Sequence, residues 1–160
     1  MGNVKPIPQG HHTVTPGLTI KGAAAAIEFY KKAFGAIDKG RMTDPSGKSI
    51  VHAELLIGDS YIFIGDESPD MGNKSPATLG GSPVALHIYT EDADAMFNRA
   101  VAAGAKVAMP LMDAFWGDRY GRVTDPFGHT WGIGTHKEDL TEAEIGKRAQ
   151  AFYAEMAAKK

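Results

Sequence analysis

The stretch Asp113-Ala-Phe-Trp-Gly-Asp-Arg-Tyr-Gly-Arg-Val-Thr-Asp-Pro-Phe-Gly-His-Thr-Trp-Gly-Ile-Gly-Thr-His136 decides the architecture of this chain. It reads as two short strands, Arg119 to Thr124 and His129 to Gly134, joined by Asp125-Pro126-Phe127-Gly128. In that connection Asp leads, Pro presets φ, and Gly closes a type I turn, so a β-hairpin is expected. Aromatic residues and arginines crowd onto the stretch beyond what a scaffold hairpin requires. It is the first place to look for function.

Working upstream from the hairpin, Lys106 to Met109 is a strand and Asp92 to Ala103 a helix with Met96, Phe97, Ala100 and Val101 facing inward. Gly104 stops that helix, and Val84 to Tyr89 forms a strand before it. The same order occurs earlier. Val14 to Ile20 is a strand, Ala23 to Phe34 a helix with Ile27, Tyr30 and Phe34 on one side, and Gly35 its stop. Ala36 to Met42 is a strand followed by the turn Asp44-Pro45-Ser46-Gly47, and Ile50 to Ile57 pairs with Ser60 to Ile64 around Gly58-Asp59. Setting Gly35 against Gly104 aligns the two helices and brings Leu18 opposite His87.

The expected fold class is therefore α+β, with two paired βαβββ modules in one domain forming a curved mixed sheet around a cleft. Residues 14–66 make the first module and 83–136 the second. Between them 67–82, rich in Pro, Gly and Ser, reads as a linker or flap. Residues 1–13, interrupted by Pro6 and Pro8, read as an extended, solvated arm on which His11 and His12 point to opposite sides. Residues 137–160 carry a C-terminal amphipathic helix, opened by a Thr141/Glu144 capping box and striped with Ile145, Ala149, Phe152, Tyr153 and Met156.

Composition narrows the partners. A formal net charge of -2 over 160 residues supplies no broad positive field for nucleic acid or anionic lipid. No stretch approaches the roughly 20 apolar residues of a membrane span. Cysteine is absent, which removes disulfides and thiolate chemistry and fits a reducing compartment, with the cytoplasm as the default. A small-molecule ligand is the expected partner and a homodimer the expected assembly.

The paired modules, the helix with Phe29-Tyr30 and Phe34-Gly35, and the Asp125-Pro126-Phe127-Gly128 hairpin resemble the vicinal oxygen chelate superfamily of glyoxalases, bleomycin-resistance proteins and extradiol dioxygenases. Trp116-Gly117-Asp118-Arg119-Tyr120-Gly121, the run from Asp125 to Trp131 and Thr135-His136-Lys137-Glu138-Asp139 most resemble its PhnB-like branch. The resemblance covers about residues 14–140. It implies the glyoxalase/bleomycin-resistance fold and, in catalytic members, metal ligands on the first and last strands of each module. Carried onto this chain those positions are Leu18, about Phe63, His87 and Gly132, of which only His87 can bind a metal. One imidazole cannot assemble the ligand set of zinc or iron, so no metal or other cofactor is expected.

Strand parity then selects cleft residues. A two-residue turn at Gly58-Asp59 sets Leu56 against Tyr61 and Glu54 against Phe63. Ala53, Leu55, Ile57, Ile62 and Ile64 then form an apolar face, and His52, Glu54, Tyr61 and Phe63 point into the cleft. In the second hairpin, pairing Thr124 with His129 and Gly121 with Gly132 turns Arg119, Gly121, Val123 and Thr130 to the cleft, and Arg122, Tyr120, Trp131 and Ile133 away from it. Trp116, on the loop before the hairpin, is a candidate ligand contact, whereas His129 and His136 read as surface residues. The candidate ligand-binding set is His52, Glu54, Tyr61, Phe63, His87, Trp116, Arg119, Gly121 and Gly132.

The leading expectation is a metal-independent protein that binds a small aromatic or amphipathic molecule between its modules. One alternative is a metal-dependent lyase or dioxygenase with a displaced set such as His52, Glu54 and His87. Another is an interaction module that uses the C-terminal helix.

Overall fold

The computed structural model describes residues 4–159; residues 1–3 of the expected arm and Lys160 of the C-terminal segment lie outside it. The first half runs β1 (Gly17–Ile20), α1 (Ala23–Phe34), β2 (Ile37–Thr43), β3 (Ile50–Ile57) and β4 (Ser60–Asp66). A 3-10 turn at Pro69–Met71 and the single-turn helix α2 (Pro76–Leu79) follow. The second half runs β5 (Ala85–Tyr89), α3 (Ala93–Ala103), β6 (Lys106–Asp113), β7 (Asp118–Thr124) and β8 (Thr130–His136), and the chain continues into α4 (Glu142–Ala158). The strands form two four-stranded mixed sheets, ordered β1-β4-β3-β2 and β5-β8-β7-β6.

The two halves solve the same local problems at equivalent places. Gly35 and Gly104 end α1 and α3 in the left-handed conformation, at φ 69° and 117°. The start of α1 has no side-chain cap of its own. Instead the Asp66 carboxylate, at the end of β4, accepts from the amides of Gly22 and Ala23 at 3.0 and 2.8 Å, and from Ile50 at 2.8 Å. At the end of β8, Thr135 Oγ1 accepts from the Ala93 amide at 2.8 Å and donates to the Thr90 carbonyl at 2.7 Å. Each module thus ties its helix start to its last strand.

The cores fuse through α1 and α3, which pack on one another. Trp131 lies 4.7 Å from Phe34 and 5.3 Å from Tyr30, ring centre to ring centre, and Phe127 meets the edge of Phe29. A buried carboxylate fastens this seam. Asp125 Oδ2 accepts from Tyr30 Oη at 2.6 Å and Trp131 Nε1 at 2.9 Å, and Oδ1 accepts from the amides of Phe127 and His129 at 2.9 Å each. Burial, reinforced by the Asp125 charge, pushes the Tyr30 hydroxyl far up, so it remains a donor.

The first hairpin follows the sequence reading: Glu54 pairs with Phe63, Leu56 with Tyr61, and Ala53, Leu55, Ile57, Ile62 and Ile64 are buried. The second departs from it by one residue. The Asp125 amide donates to the His129 carbonyl, while the Gly128 amide donates to the Asp125 carbonyl with Gly128 at φ 94°. This is a type I turn followed by a left-handed glycine bulge, so the loop has three residues and Asp125 belongs to the ladder. Thr124 therefore pairs with Thr130, Arg122 with Gly132 and Tyr120 with Gly134. A one-residue slip inverts a strand, so β7 presents Tyr120 and Arg122 to the concave side and sends Arg119, Gly121 and Val123 toward α3.

Smaller departures have similar local causes. β6 runs on to Asp113 through two irregularities around Met109, longer than the expected strand ending there. Val101, expected inward on α3, is 37% exposed, whereas His129, expected at the surface, is 7% exposed with Nε2 3.3 Å from the Thr19 carbonyl. Glu67 organises the connecting segment. It accepts from Thr78 Oγ1, Ser75 Oγ and the Ser75 amide at 2.6, 2.7 and 3.0 Å, and these bonds, Thr78 first, hold its pKa at about 2. α4 opens on the Thr141/Glu144 capping box and lays Phe152 and Tyr153 against Phe115, while Arg148 pairs with Glu138.

Candidate functional site

The two concave faces carry different chemistry. On the first sheet, β3 supplies His52 and Glu54 and β4 supplies Tyr61 and Phe63. His52 Nε2 stands 3.5 Å from Glu54 Oε1, and its ring meets the edge of Phe63 at 4.9 Å. His11 of the arm joins them. It is stacked on Tyr61 with ring centres 4.1 Å apart and side chain only 12% exposed, which corrects the expectation of a solvated arm at this residue.

On the second sheet, His87 and Tyr89 of β5 lie beside Tyr120 and Arg122 of β7 over the glycines of β8. His87 stacks parallel to Tyr120 at 5.4 Å, and Arg122 Nε donates to Tyr120 Oη at 2.9 Å. Gly132 and Gly134 make this possible. A Cβ at Gly132 would stand 2.8 Å from Tyr120 Oη and 3.0 Å from His87 Nδ1, and one at Gly134 would stand 3.1 Å from His87 Nε2. Loss of water around the His87 ring pushes its pKa below the ordinary value, against the pull of Asp118.

Asp118 anchors the rim of this face. It is 2% exposed and accepts from His136 Nδ1 at 2.8 Å, Trp116 Nε1 at 2.9 Å and Tyr89 Oη at 3.1 Å. Burial alone would raise its pKa, but these three donors together hold it below the usual carboxylate range. His136 also meets Asp139 through Nε2 at 3.0 Å. Hydrogen bonds to Asp118 and then Asp139 raise the His136 pKa, so the charged imidazolium is favoured by folding. A raised folded pKa contributes stability that is complete below about pH 6.5 and disappears as pH rises through the folded value. The urea midpoint of the wild-type protein should fall toward that of His136→Gln between about pH 6 and about pH 9. Parallel midpoints across that range would show that His136 is not linked to folding.

Between the modules lies a cavity of about 970 Å³. Phe34, Leu86, Ile88 and Trp131 give it apolar walls, and Tyr61 and His87 bring the two halves to it. Tyr89 and His136 line it as well.

Of the residues expected at the site, His52, Glu54, Tyr61 and Phe63 stand together on one concave face, and His87, Trp116 and Gly132 belong to the other. Arg119 and Gly121 do not. Arg119 clamps Asp94 of α3 through Nε and Nη2 at 3.0 and 2.9 Å, and a Cβ on Gly121 would stand 2.8 Å from the Phe97 ring. Sequence reading missed Tyr89, Asp118, Tyr120, Arg122, His136 and His11. Tyr89, two residues beyond His87 on the same strand, could have been found by parity. Parity along β8 from Gly132 would also have found His136, and counting a left-handed glycine at Gly128 would have found Asp118, Tyr120 and Arg122.

A metal centre does not fit these residues. In the parallel pairings Gly17 lies beside Phe63 as His87 lies beside Gly132, so Gly17 rather than Leu18 is the first-strand counterpart of His87. Leu18 is buried on the helix side. The positions facing each other are then a glycine and a phenylalanine in one module, and a histidine and a glycine in the other. Among the described residues no three His, Asp or Glu side chains are grouped closely enough to hold an ion, and His52 and Glu54 are on a different module from His87.

An uncharacterized protein of Mycobacterium tuberculosis is 46% identical over 135 residues, which is 82% of this chain and 79% of that protein. The crystal structure of a gene product from Arabidopsis thaliana superposes with a TM-score of 0.62 at 31% identity, covering 76% of this chain and 97% of that one. The PhnB protein from Bacillus cereus shares the fold, with a TM-score of 0.60 at 15% identity over 78% of this chain and 99% of its own. The model of the Glyoxalase/Bleomycin resistance protein/Dioxygenase superfamily matches residues 10–133, and the chain belongs to that superfamily.

Proposed function

We propose that the protein binds a small aromatic or amphipathic molecule between its modules without a catalytic metal, in the manner of a PhnB-like, bleomycin-resistance-type binding protein. The cavity of about 970 Å³ carries this reading, because it is large enough for such a compound and walled by Phe34, Leu86, Ile88 and Trp131. Tyr61 and His87 supply aromatic surface to it, and Gly132 gives the room in which His87 and Tyr120 lie flat, while His52, Glu54, Phe63 and Trp116 stand on the concave faces outside its lining. The branch assignment rests on the Trp116–Gly121 and Asp125–Trp131 motifs, and a cytoplasmic setting suits a chain without cysteine.

The assembly we favour is a homodimer. β1 and β5 are edge strands of separate sheets, and a second copy could set one chain's first concave face against its partner's second. Native mass spectrometry of protein purified without chelator should report a dimer mass and no stoichiometric transition metal. Added 2-naphthol should bind and quench Trp131, and Leu86→Trp, which fills the cavity, should weaken it at least about tenfold, or about 1.4 kcal/mol. A retained stoichiometric metal, or naphthol binding indifferent to Leu86→Trp, would count against the proposal.

A further inference from the structure

The concave face of the first sheet is already covered from within the chain. Pro8 to His11 form a turn in which the His11 amide donates to the Pro8 carbonyl at 3.1 Å and Gly10, at φ 83°, takes the position that type II geometry reserves for glycine. Gly10 passes close over Tyr61, so that a Cβ there would stand 3.3 Å from Tyr61 Cε2. The turn then lays the His11 ring on Tyr61 at 4.1 Å and 12°, with the Phe63 ring 5.9 Å away. His11 Nε2 is 3.6 Å from Glu54 Oε2, and the other carboxylate oxygen of Glu54 is 3.5 Å from His52 Nε2. His11 Nδ1 is buried with no hydrogen-bond partner among the described residues.

We propose that this face is a binding site for a planar nitrogen heteroaromatic group, which stacks on Tyr61 and directs an N–H at Glu54, and that His11 occupies the site in cis. A flat ring stacked on an aromatic side chain beside a carboxylate is the arrangement of a bound ligand, and here the chain itself provides the ring. The seat is imperfect because it desolvates Nδ1 without a partner, a cost that an external ligand avoids, since without a tether it can turn over on Tyr61 and leave its second nitrogen in solvent. The arm therefore acts as a tethered competitor, at an effective concentration in the millimolar range, for compounds that fit the face better. The inference deepens the reading above and rests on it at Tyr61, which the cavity and this face share.

The test uses benzimidazole, with benzofuran as the same shape without an N–H. Binding is followed by NMR through the ring protons of Tyr61, in wild-type protein and in two variants that vacate the face differently. His11→Ala removes the ring, and Gly10→Val denies the turn its left-handed residue and pushes the backbone off Tyr61 while keeping His11. Both variants should bind benzimidazole about tenfold more tightly than wild type, because the competent fraction of sites rises, and in both benzofuran should bind several-fold more weakly than benzimidazole because it has no N–H for Glu54. Adding Glu54→Gln to His11→Ala should reverse most of the gain. Equal benzimidazole affinity in wild type and both variants overturns the proposal, as does benzofuran binding the vacated face as tightly as benzimidazole. If benzimidazole binds none of the three while 2-naphthol still quenches Trp131, this proposal falls and the cavity reading stands.

Discussion

Asp125→Ala should lower folding stability by about 4 kcal/mol, in the range reserved for losing a buried polar hub. The carboxylate receives four hydrogen bonds, two of them from backbone amides of its own turn and two from Tyr30 and Trp131 in the seam. Removing it leaves those donors buried and unanswered, and Tyr30 cannot compensate by ionising because burial, the largest cause of its raised pKa, persists in the variant. Asp125→Asn keeps the volume and one acceptor oxygen while setting an amide N–H₂ against donors, so it should recover only about half of the loss. Urea unfolding measures both. A cost below about 1 kcal/mol for the alanine variant would show that the seam is held by aromatic packing alone.

Gly132→Glu should cost about 3 kcal/mol and bind no metal. It places a ligand where catalytic relatives are expected to carry one, yet the first atom of the new side chain would stand 2.8 Å from Tyr120 Oη and 3.0 Å from His87 Nδ1. The stacked pair must then separate, which also breaks the Arg122–Tyr120 hydrogen bond. Even with the carboxylate in place, Gly17 and Phe63 offer no donors from the other module. Elemental analysis and urea unfolding of the variant check both halves of the expectation. Stoichiometric zinc or manganese in the variant would show that His87 and the introduced carboxylate suffice with ligands from elsewhere.

The architecture was legible because its signals are local: glycine stops at Gly35 and Gly104, alternating apolar residues in β3 and β4, and a two-residue turn at Gly58-Asp59. The concave face of the first sheet could be read for the same reason. The second could not, because the register of β7 depends on whether Gly128 closes the turn or adds a bulge after it, and both readings share the same four letters. That single residue exchanged Arg119 and Gly121 for Tyr120 and Arg122. The offset between modules hid a second error. Gly17 lies 18 residues before the stop at Gly35 and His87 lies 17 before the stop at Gly104, so aligning the helix stops puts Leu18 where Gly17 belongs. His11 had no periodic or turn-based signal linking it to Tyr61, fifty residues away. Contacts of that range arise from the folded surface and leave no pattern in neighbouring residues.

Among the described residues no strand of one sheet pairs with a strand of the other. Each sheet is consequently stiff, since moving a residue within it breaks ladder hydrogen bonds, whereas the two sheets are joined through the packing of α1 on α3 and the aromatic contacts of the seam. Small shear between packed helices leaves both ladders intact. Under the proposed function the width of the cavity beside this seam would be a soft coordinate between two hard sheets, and compounds of different thickness would enter it without a change in either ladder.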